Sequence, residues 1–207
     1  MTESEPHFVV ATLWEAIQPL DRGDRYEDPL DEALEREGLG GTCGGGSQLS
    51  DSCGIEFVDI EIELRDLERG LAVTKQILEQ QGASKGSVLR YKENGEDKTM
   101  TFGVSECLAI FLDGVGLPDA VYQSSDINEF AGQINEILES EVAGEIRGSW
   151  VGPEETAIFI HGPNAQTIFD VLRPLLDSYP LAQNARLVIR HGKAEFDPAT
   201  VRIPMHE

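Results

Sequence analysis

The amino-acid sequence predicts an α+β fold in which two tandem units each have the order β-α-β-β-α-β and an antiparallel sheet. Three observations support this prediction. Apolar and polar residues alternate along short segments, as in strands that bury one face. Between these segments, apolar residues recur at helical spacing, with aspartate or asparagine before them and often glycine after them. The same order of elements occurs twice in the 207 residues.

The first predicted unit spans residues 1–98 and contains four strands and two helices. The strands are predicted at residues 8–17, 40–49, 55–64 and 87–92. The helices are predicted from Asp28 to Gly38 and from Asp66 to Gly82, because aspartate caps helix N-termini and glycine ends helices. After the last strand, Asn94-Gly95 is a turn signal typical of hairpins.

The second predicted unit spans residues 99–207 and repeats this order. Its strands are predicted at residues 107–113, 145–151, 156–161 and 185–191, and its helices begin at Asp126 and Asn164. The element starts fall at similar intervals in both halves, and their order is that of a ferredoxin-like (split βαβ) unit. The joint between the two tandem ferredoxin-like units is expected between residues 93 and 106.

The charge of the chain is strongly negative. It has 16 Lys and Arg against 38 Asp and Glu, which gives a formal net charge of −22 at pH 7. Such a field repels nucleic acid and anionic membranes, and it speeds encounter with a basic protein partner. The alternative is that the charge only keeps the protein soluble.

The N-terminal segment and the small number of cysteines predict a cytoplasmic protein. The acidic N-terminus leads into only a short apolar stretch, Phe8 to Leu13, and no segment approaches a membrane span. The three cysteines are too few for a disulfide framework.

Four segments carry a resemblance to known sequences. They are Gly44–Leu49, Val58–Glu63, Leu112–Asp119 and Glu154–Ala157, which together span much of residues 8–191. These segments resemble uncharacterised acidic bacterial proteins, some of which look like immunity proteins that neutralise toxins. The resemblance implies an inhibitor of a basic partner, and it supplies no catalytic residue.

The motifs of cofactor and metal sites do not fit this sequence. Gly44-Gly45-Gly46 is followed by Ser47-Gln48 and then a strand, whereas a phosphate loop needs a lysine and a helix. A hairpin strand that another backbone approaches closely is the better interpretation. Cys43 and Cys53 lack the spacing of a zinc site. No cofactor and no metal are therefore predicted.

Catalytic groups are equally sparse. Cys107 is expected in the core, where thiols are usually inert, and its pairing with His161 or His191 is disfavoured. Glu154 and Glu155 are adjacent, so their carboxylates should point in different directions. The sequence thus predicts a protein that is not an enzyme.

The most informative group is Asp59, Glu61 and Glu63. Strand alternation puts the three carboxylates on one face of a sheet, about 7 Å apart in succession. Like charges in a row repel each other, so a partner is expected. It could be Arg90 or Arg147, a basic protein, or a hard cation such as Ca²⁺.

The leading functional prediction is an acidic protein-binding module that contacts a basic partner through Asp59, Glu61 and Glu63. Trp150 and its hairpin are the second predicted contact. One alternative is a small-molecule sensor with a ligand between the two units, which rests on fold analogy. An enzyme of unknown class is the third possibility.

Overall fold

The computed structural model describes residues 5–51, 53–190 and 199–203. The chain divides into two compact units, Met1–Ser50 with Ile55–Val104 and Asp51–Gly54 with Ser105–Glu207. Each unit contains one five-stranded sheet.

The first sheet has the strand order β2-β3-β1-β4-β5. Its strands are β1 (His7–Leu13), β2 (Gly40–Ser50), β3 (Gly54–Leu64), β4 (Ser87–Glu93) and β5 (Glu96–Phe102). The helices are α1 (Pro19–Arg22), a π-helical turn (Gly23–Glu27), α2 (Asp28–Arg36) and α3 (Leu67–Gln80). The first four strands have the ferredoxin-like arrangement, and β5 extends the sheet beyond β4.

The beginning of this unit differs from the prediction. β1 ends at Leu13, not at residue 17, because Glu15 turns into the interior and is only 1% exposed. Its carboxylate accepts hydrogen bonds from the Tyr26 hydroxyl at 2.9 Å and from Ser84 N–H at 2.8 Å. The prediction that Asp28 caps a helix is wrong, because the chain is already helical from Pro19 onward.

β5 was missed by the sequence analysis, although its turn was recognised. Asn94 and Gly95 have φ angles of 52° and 81°, which is the conformation of a two-residue hairpin turn. The strand that follows pairs with β4 as far as Phe102, so the first sheet continues past residue 98.

The glycine-rich segment is a strand, as the sequence suggested. A Cβ atom on Gly40 would lie 1.9 Å from the Glu63 carbonyl oxygen, so only glycine allows β2 to approach β3 this closely. β2 is also an edge strand without a charged residue. Two side chains of the preceding helical segment bond to its backbone: Asp31 accepts from Thr42 N–H at 2.6 Å, and Arg22 donates to the Gly46 carbonyl at 3.0 Å. They cover an edge that would otherwise be open to another strand.

The second sheet has the strand order β10-β9-β6-β8-β7. Its strands are β6 (Glu106–Asp113), β7 (Glu145–Val151), β8 (Glu155–Gly162), β9 (Arg186–Arg190) and β10 (Ala199–Arg202). The helices are α4 (Asp119–Ser124), α5 (Ile127–Glu141), α6 (Ala165–Ser178) and a 3-10 helix (Pro180–Ala182). The sequence did not predict α4 or β10, and His191, its predicted end of β9, lies outside the described residues.

Three predicted helix starts are confirmed. Asp66 accepts a hydrogen bond from Arg69 N–H at 3.1 Å, Asp126 from Asn128 N–H at 2.7 Å, and Asn164 from Thr167 N–H at 2.8 Å. Each bond satisfies a backbone donor that the first helical turn leaves without a partner.

In each unit the helices pack on one face of the sheet. In the first unit, Val58, Ile60 and Ile62 of β3 are completely buried, and a Cβ atom on Gly70 of α3 would come within 2.7 Å of Leu64. In the second, the alternate residues of β6 join a core with α5 and α6. Both units are therefore ferredoxin-like with antiparallel sheets, and the predicted α+β fold class is confirmed.

Candidate binding face of the first sheet

The face of the first sheet that lies opposite its helices is called the open face here, and it carries the three predicted carboxylates. Because Val58, Ile60 and Ile62 point toward the helices, the residues between them point the other way. On the neighbouring strand β1, Asp59 lies opposite Thr12, Glu61 opposite Val10 and Glu63 opposite Phe8.

The carboxylates differ in their partners. Asp59 accepts a hydrogen bond from the Thr12 hydroxyl, and its Oδ1 lies 3.4 Å from Arg90 Nη2. In the described part of the chain, Glu61 and Glu63 form no salt bridge. Arg90 thus compensates Asp59 alone.

Arg147, the other predicted cationic partner of the carboxylates, forms a salt bridge within the second unit. Its Nε lies 3.1 Å from a carboxylate oxygen of Glu145. The calcium alternative has no geometric support either, because among the described residues no three His, Cys, Asp or Glu side chains are placed to hold a metal ion.

Glycine in the edge strand leaves room for the Glu61 carboxylate. A Cβ atom on Gly44 would lie 2.7 Å from Glu61 Oε2, so this carboxylate lies over the glycine backbone of β2. The side chain of Glu61 is half-buried and that of Glu63 is exposed. The Glu61 carboxylate therefore extends toward the β2 edge of the sheet.

The pKa of the Cys43 thiol reflects the charges of these carboxylates. Partial burial is the largest cause that raises the pKa of its thiol above the ordinary value of 9.0. The charges of Glu63, Glu61 and Asp31 raise it further, because they disfavour a second negative charge nearby. Cys43 is exposed, so its reactivity can be measured.

The other side of the open face is basic. Arg90 on β4 lies opposite Val10, and Lys92 pairs with Asp97 on β5. β4 is two strands from β3, about 10 Å away, and the Arg90 side chain spans this distance to reach Asp59. The open face therefore changes from acidic on β3 through Phe8 and Val10 on β1 to basic on β4.

A groove of about 670 Å³ lies where β1 begins, β4 ends and β5 begins. Phe8, whose surface is 52% exposed, lines it together with three cations. The complete lining is Pro6, His7, Phe8, Arg90, Tyr91, Lys92, Asp97, Lys98 and Thr99. The groove is not predictable from the sequence, because it forms from three strands whose register the sequence does not reveal.

Trp150, the second predicted contact, lies in the second unit on β7 and is half-buried. Its ring packs over Gly152, where a Cβ atom would come within 2.2 Å of the ring. It lines a cavity of about 370 Å³ with Asp113, Glu155 and Arg186, among others. Arg186 Nη2 donates a hydrogen bond to the Glu155 carboxylate at 2.6 Å, so this member of the adjacent glutamates Glu154 and Glu155 is ion-paired.

Cys107 and His161 are direct cross-strand neighbours on β6 and β8. Nothing in the sequence predicts this pairing, but the register of the second sheet brings the two residues together. Both are buried, with 5% and 1% of their surfaces exposed. Arg190 lies opposite Cys107 on the other side of β6, while His191 is outside the described residues.

No helix among the described residues is both long and apolar enough to cross a membrane.

Comparisons with known proteins give only distant structural likenesses. No family model matches the chain, and neither does any curated protein. The regulatory subunit of aspartate kinase from Thermus flavus is 11% identical, with a TM-score of 0.27, over 83% of this chain and 93% of that one. A "putative monooxygenase" from Lactobacillus acidophilus NCFM is 15% identical, with a TM-score of 0.28, over 96% of this chain and 100% of that one. At these TM-scores neither likeness bears on function.

Proposed function

We propose that this protein binds a basic protein partner through the acidic row, defined as Asp59, Glu61 and Glu63 on the open face of the first sheet. One observation carries the proposal. Glu61 and Glu63 lie side by side on the open face, and neither forms a salt bridge with any described residue. Like charges on one strand face are destabilising, and a cationic surface would relieve their repulsion.

The row acts mainly on the rate of association. The carboxylates of the row, on a chain with a net charge of −22, attract a basic surface before contact is made. Once bound, each exposed ion pair contributes only about 0.2–1 kcal/mol, so the row needs apolar contacts beside it. Phe8 lies directly opposite Glu63 and is exposed, so its ring is positioned to supply such an apolar contact.

The finer proposal is an immunity-type inhibitor, in which the partner is a basic toxin. The resemblance of four sequence segments to acidic bacterial proteins supports it. Inhibition would follow from steric block and charge complementarity, so the proposal assigns no catalytic step to this chain.

The first experiment identifies the partner and then tests the row. The protein captures partners from its native host at low and at high salt, and the captured protein is purified for binding kinetics. The double variant Glu61→Lys/Glu63→Lys should associate about 3- to 10-fold more slowly at low salt, with a smaller loss at high salt because exposed charges are screened. Asp59 is left unchanged because Thr12 and Arg90 bond to it.

The matched control is Glu136→Lys/Glu139→Lys on α5. Both residues are exposed, and the substitution changes the net charge by the same amount. A control that slows association as much as the row variant would show a general effect of charge. An unchanged association rate for the row variant at low salt would show that the interface does not lie on the open face. Trp150 would then be the next residue to test.

A further inference from the structure

We propose that the cavity beside Trp150 binds a small organic ammonium ion that carries an apolar group. The cavity has a volume of about 370 Å³, and all of its lining residues belong to the second unit. It combines an aromatic ring, an apolar wall and carboxylates. The acidic row lies on the first sheet, so this proposal does not rest on the proposed basic protein partner.

The strand register places the ring and two of the carboxylates on one face of the second sheet. Asp113 on β6 lies directly opposite Glu155 on β8. Two residues further along β8, Ala157 lies opposite Trp150 on β7. Side chains of paired residues share a face, as do those of every second residue along a strand. Because the alternate residue Ile158 packs in the core with α5 and α6, this face is the one turned away from the helices.

This face already holds one cation between an aromatic ring and a carboxylate. Arg186 Cζ lies 3.9 Å from the centroid of the Phe111 ring. Arg186 Nη2 and Nε donate hydrogen bonds to the Glu155 carboxylate at 2.6 and 3.2 Å. An aromatic face attracts a cation through its quadrupole, and the carboxylate supplies the opposite charge. The charge of Arg186 is thus compensated inside the cavity.

Trp150 has carboxylates near it in the same cavity but no cation of its own. Asp51 and Glu154 line the cavity with it. In the described part of the chain, no Lys or Arg stacks on Trp150, and neither carboxylate forms a salt bridge. The lining contains four carboxylates against one arginine. Since tryptophan is the aromatic side chain that binds cations best, this part of the cavity favours a cationic ligand.

The remaining wall favours an apolar group on the ligand. Val115, with 64% of its surface exposed, and Pro153 both line the cavity. The turn that carries Val115 is held in place, because the Asp113 carboxylate accepts hydrogen bonds from the N–H groups of Val115 and Gly116 at 2.9 and 2.7 Å. Small-molecule sites are mostly apolar, with a few placed polar groups, and their volumes begin at about 300 Å³. An ammonium group joined to a small ring satisfies both parts of the cavity.

The probe is 2-phenylethylamine, which is an ammonium ion at neutral pH, and its neutral analogue is 2-phenylethanol. Backbone and indole N–H shifts of the isotope-labelled full chain are followed at low salt while each compound is added. We expect the ammonium ion to bind with a Kd of about 1 mM, as is typical for a ligand of this size. The largest shifts should fall on residues 113–115 and 153–155 and on the Trp150 indole. The alcohol should bind at least about 3-fold more weakly.

Two variants and a matched control complete the experiment, and the amide spectrum of each confirms that it is folded. Asp51→Asn/Glu154→Gln should weaken the binding of 2-phenylethylamine by about 3-fold or more and leave that of 2-phenylethanol unchanged. Trp150→Ala should weaken the binding of both compounds. The control Glu136→Gln/Glu139→Gln removes the same charge from exposed positions on α5 and should change neither affinity.

The proposal is overturned by any of four results. One is no saturable binding of 2-phenylethylamine up to about 10 mM, a concentration well above the expected Kd. Another is equal affinity for the amine and the alcohol, which would leave only an apolar pocket. The third is a set of shifts that lies away from the cavity. The last is an equal loss of affinity in the α5 control, which would mean that the acidic chain attracts cations without a specific site.

Discussion

Glu61 and Glu63 differ from Asp59 in their surroundings, although the three residues alternate along one strand. Asp59 is held by the Thr12 hydroxyl and by Arg90, which reaches across β1 from β4. Glu61 lies over the bare backbone of Gly44, and Glu63 is exposed beside Phe8. Only the last two remain as uncompensated charges, so the proposed binding role falls to Glu61 and Glu63, whereas Asp59 bonds within the sheet.

The reactivity of Cys43 should reveal this uncompensated charge without any partner. Partial burial raises the pKa of its thiol, and the carboxylates of Glu63 and Glu61 raise it further. Replacing both carboxylates in Glu61→Gln/Glu63→Gln should therefore lower the pKa and increase the thiolate fraction. Since the thiolate is the nucleophile, alkylation of Cys43 by iodoacetamide at slightly alkaline pH should become faster.

Added salt should reduce the difference between the two proteins, because it screens exposed charges. The rate is read from the Cys43 peptide by mass spectrometry. Cys53 and Cys107 are buried and serve as internal references in the same sample. Equal rates for Cys43 in both proteins at low salt would show that the row exerts no field at the thiol.

At the scale of elements, local signals predicted most of the fold. Three helix starts were correct because a capping side chain bonds within its own first turn, as Asp66, Asp126 and Asn164 do. The predicted end of β1 was wrong, because Glu15 turns into the interior to bond with Tyr26 and Ser84, which lie 11 and 69 residues further along the chain. Strand alternation alone predicted that Asp59, Glu61 and Glu63 share one face of the sheet. The groove could not be predicted, because its lining depends on how β1, β4 and β5 align.

Glu79 on α3 accepts a hydrogen bond from Gly103 N–H, just after β5. Because this bond depends on the charge of the carboxylate, the free energy of unfolding should depend on pH. Partial desolvation acts to raise the pKa of Glu79, but hydrogen bonds from Lys75 and from Gly103 N–H outweigh it, so the pKa lies below the ordinary value of 4.5. Its Oε2 lies 2.7 Å from Lys75 Nζ, and Oε1 lies 3.1 Å from Gly103 N. The carboxylate therefore stabilises the fold above the unfolded pKa, and this contribution is lost as pH falls through the folded pKa.

We expect Glu79→Gln to lower the free energy of unfolding by about 0.5–1 kcal/mol near neutral pH, a value reduced for partial exposure. The deficit should shrink as the pH falls through the lowered pKa of Glu79, where the wild-type carboxylate also becomes protonated. Urea unfolding followed by circular dichroism at several pH values measures this. Glu136→Gln, which removes an exposed carboxylate from α5, is the control and should show no such deficit. A deficit that stays constant down to acid pH would mean that the charge of Glu79 plays no part.

At the scale of the whole molecule, the net charge acts on stability. The 38 acidic side chains lie in a chain with only 16 basic ones, and several of the described ion pairs, such as Lys92–Asp97, are exposed. Self-repulsion disfavours the compact state, since the charges are closer together in it than in the unfolded chain. The negative field of the chain therefore costs folding free energy.

Salt should accordingly stabilise this protein. Raising KCl from about 0.01 M to about 0.3 M shortens the screening length from about 30 Å to below 10 Å, so the repulsion between acidic side chains weakens. We expect the midpoint of unfolding in urea to rise over this range, most steeply at the low end. Urea is the denaturant because guanidinium chloride would itself screen the charges. A non-ionic solute at the same osmolarity is the control and should reproduce little of the increase. If the midpoint stayed constant or fell with KCl, the ion pairs such as Arg186–Glu155 would outweigh the repulsion among the remaining carboxylates.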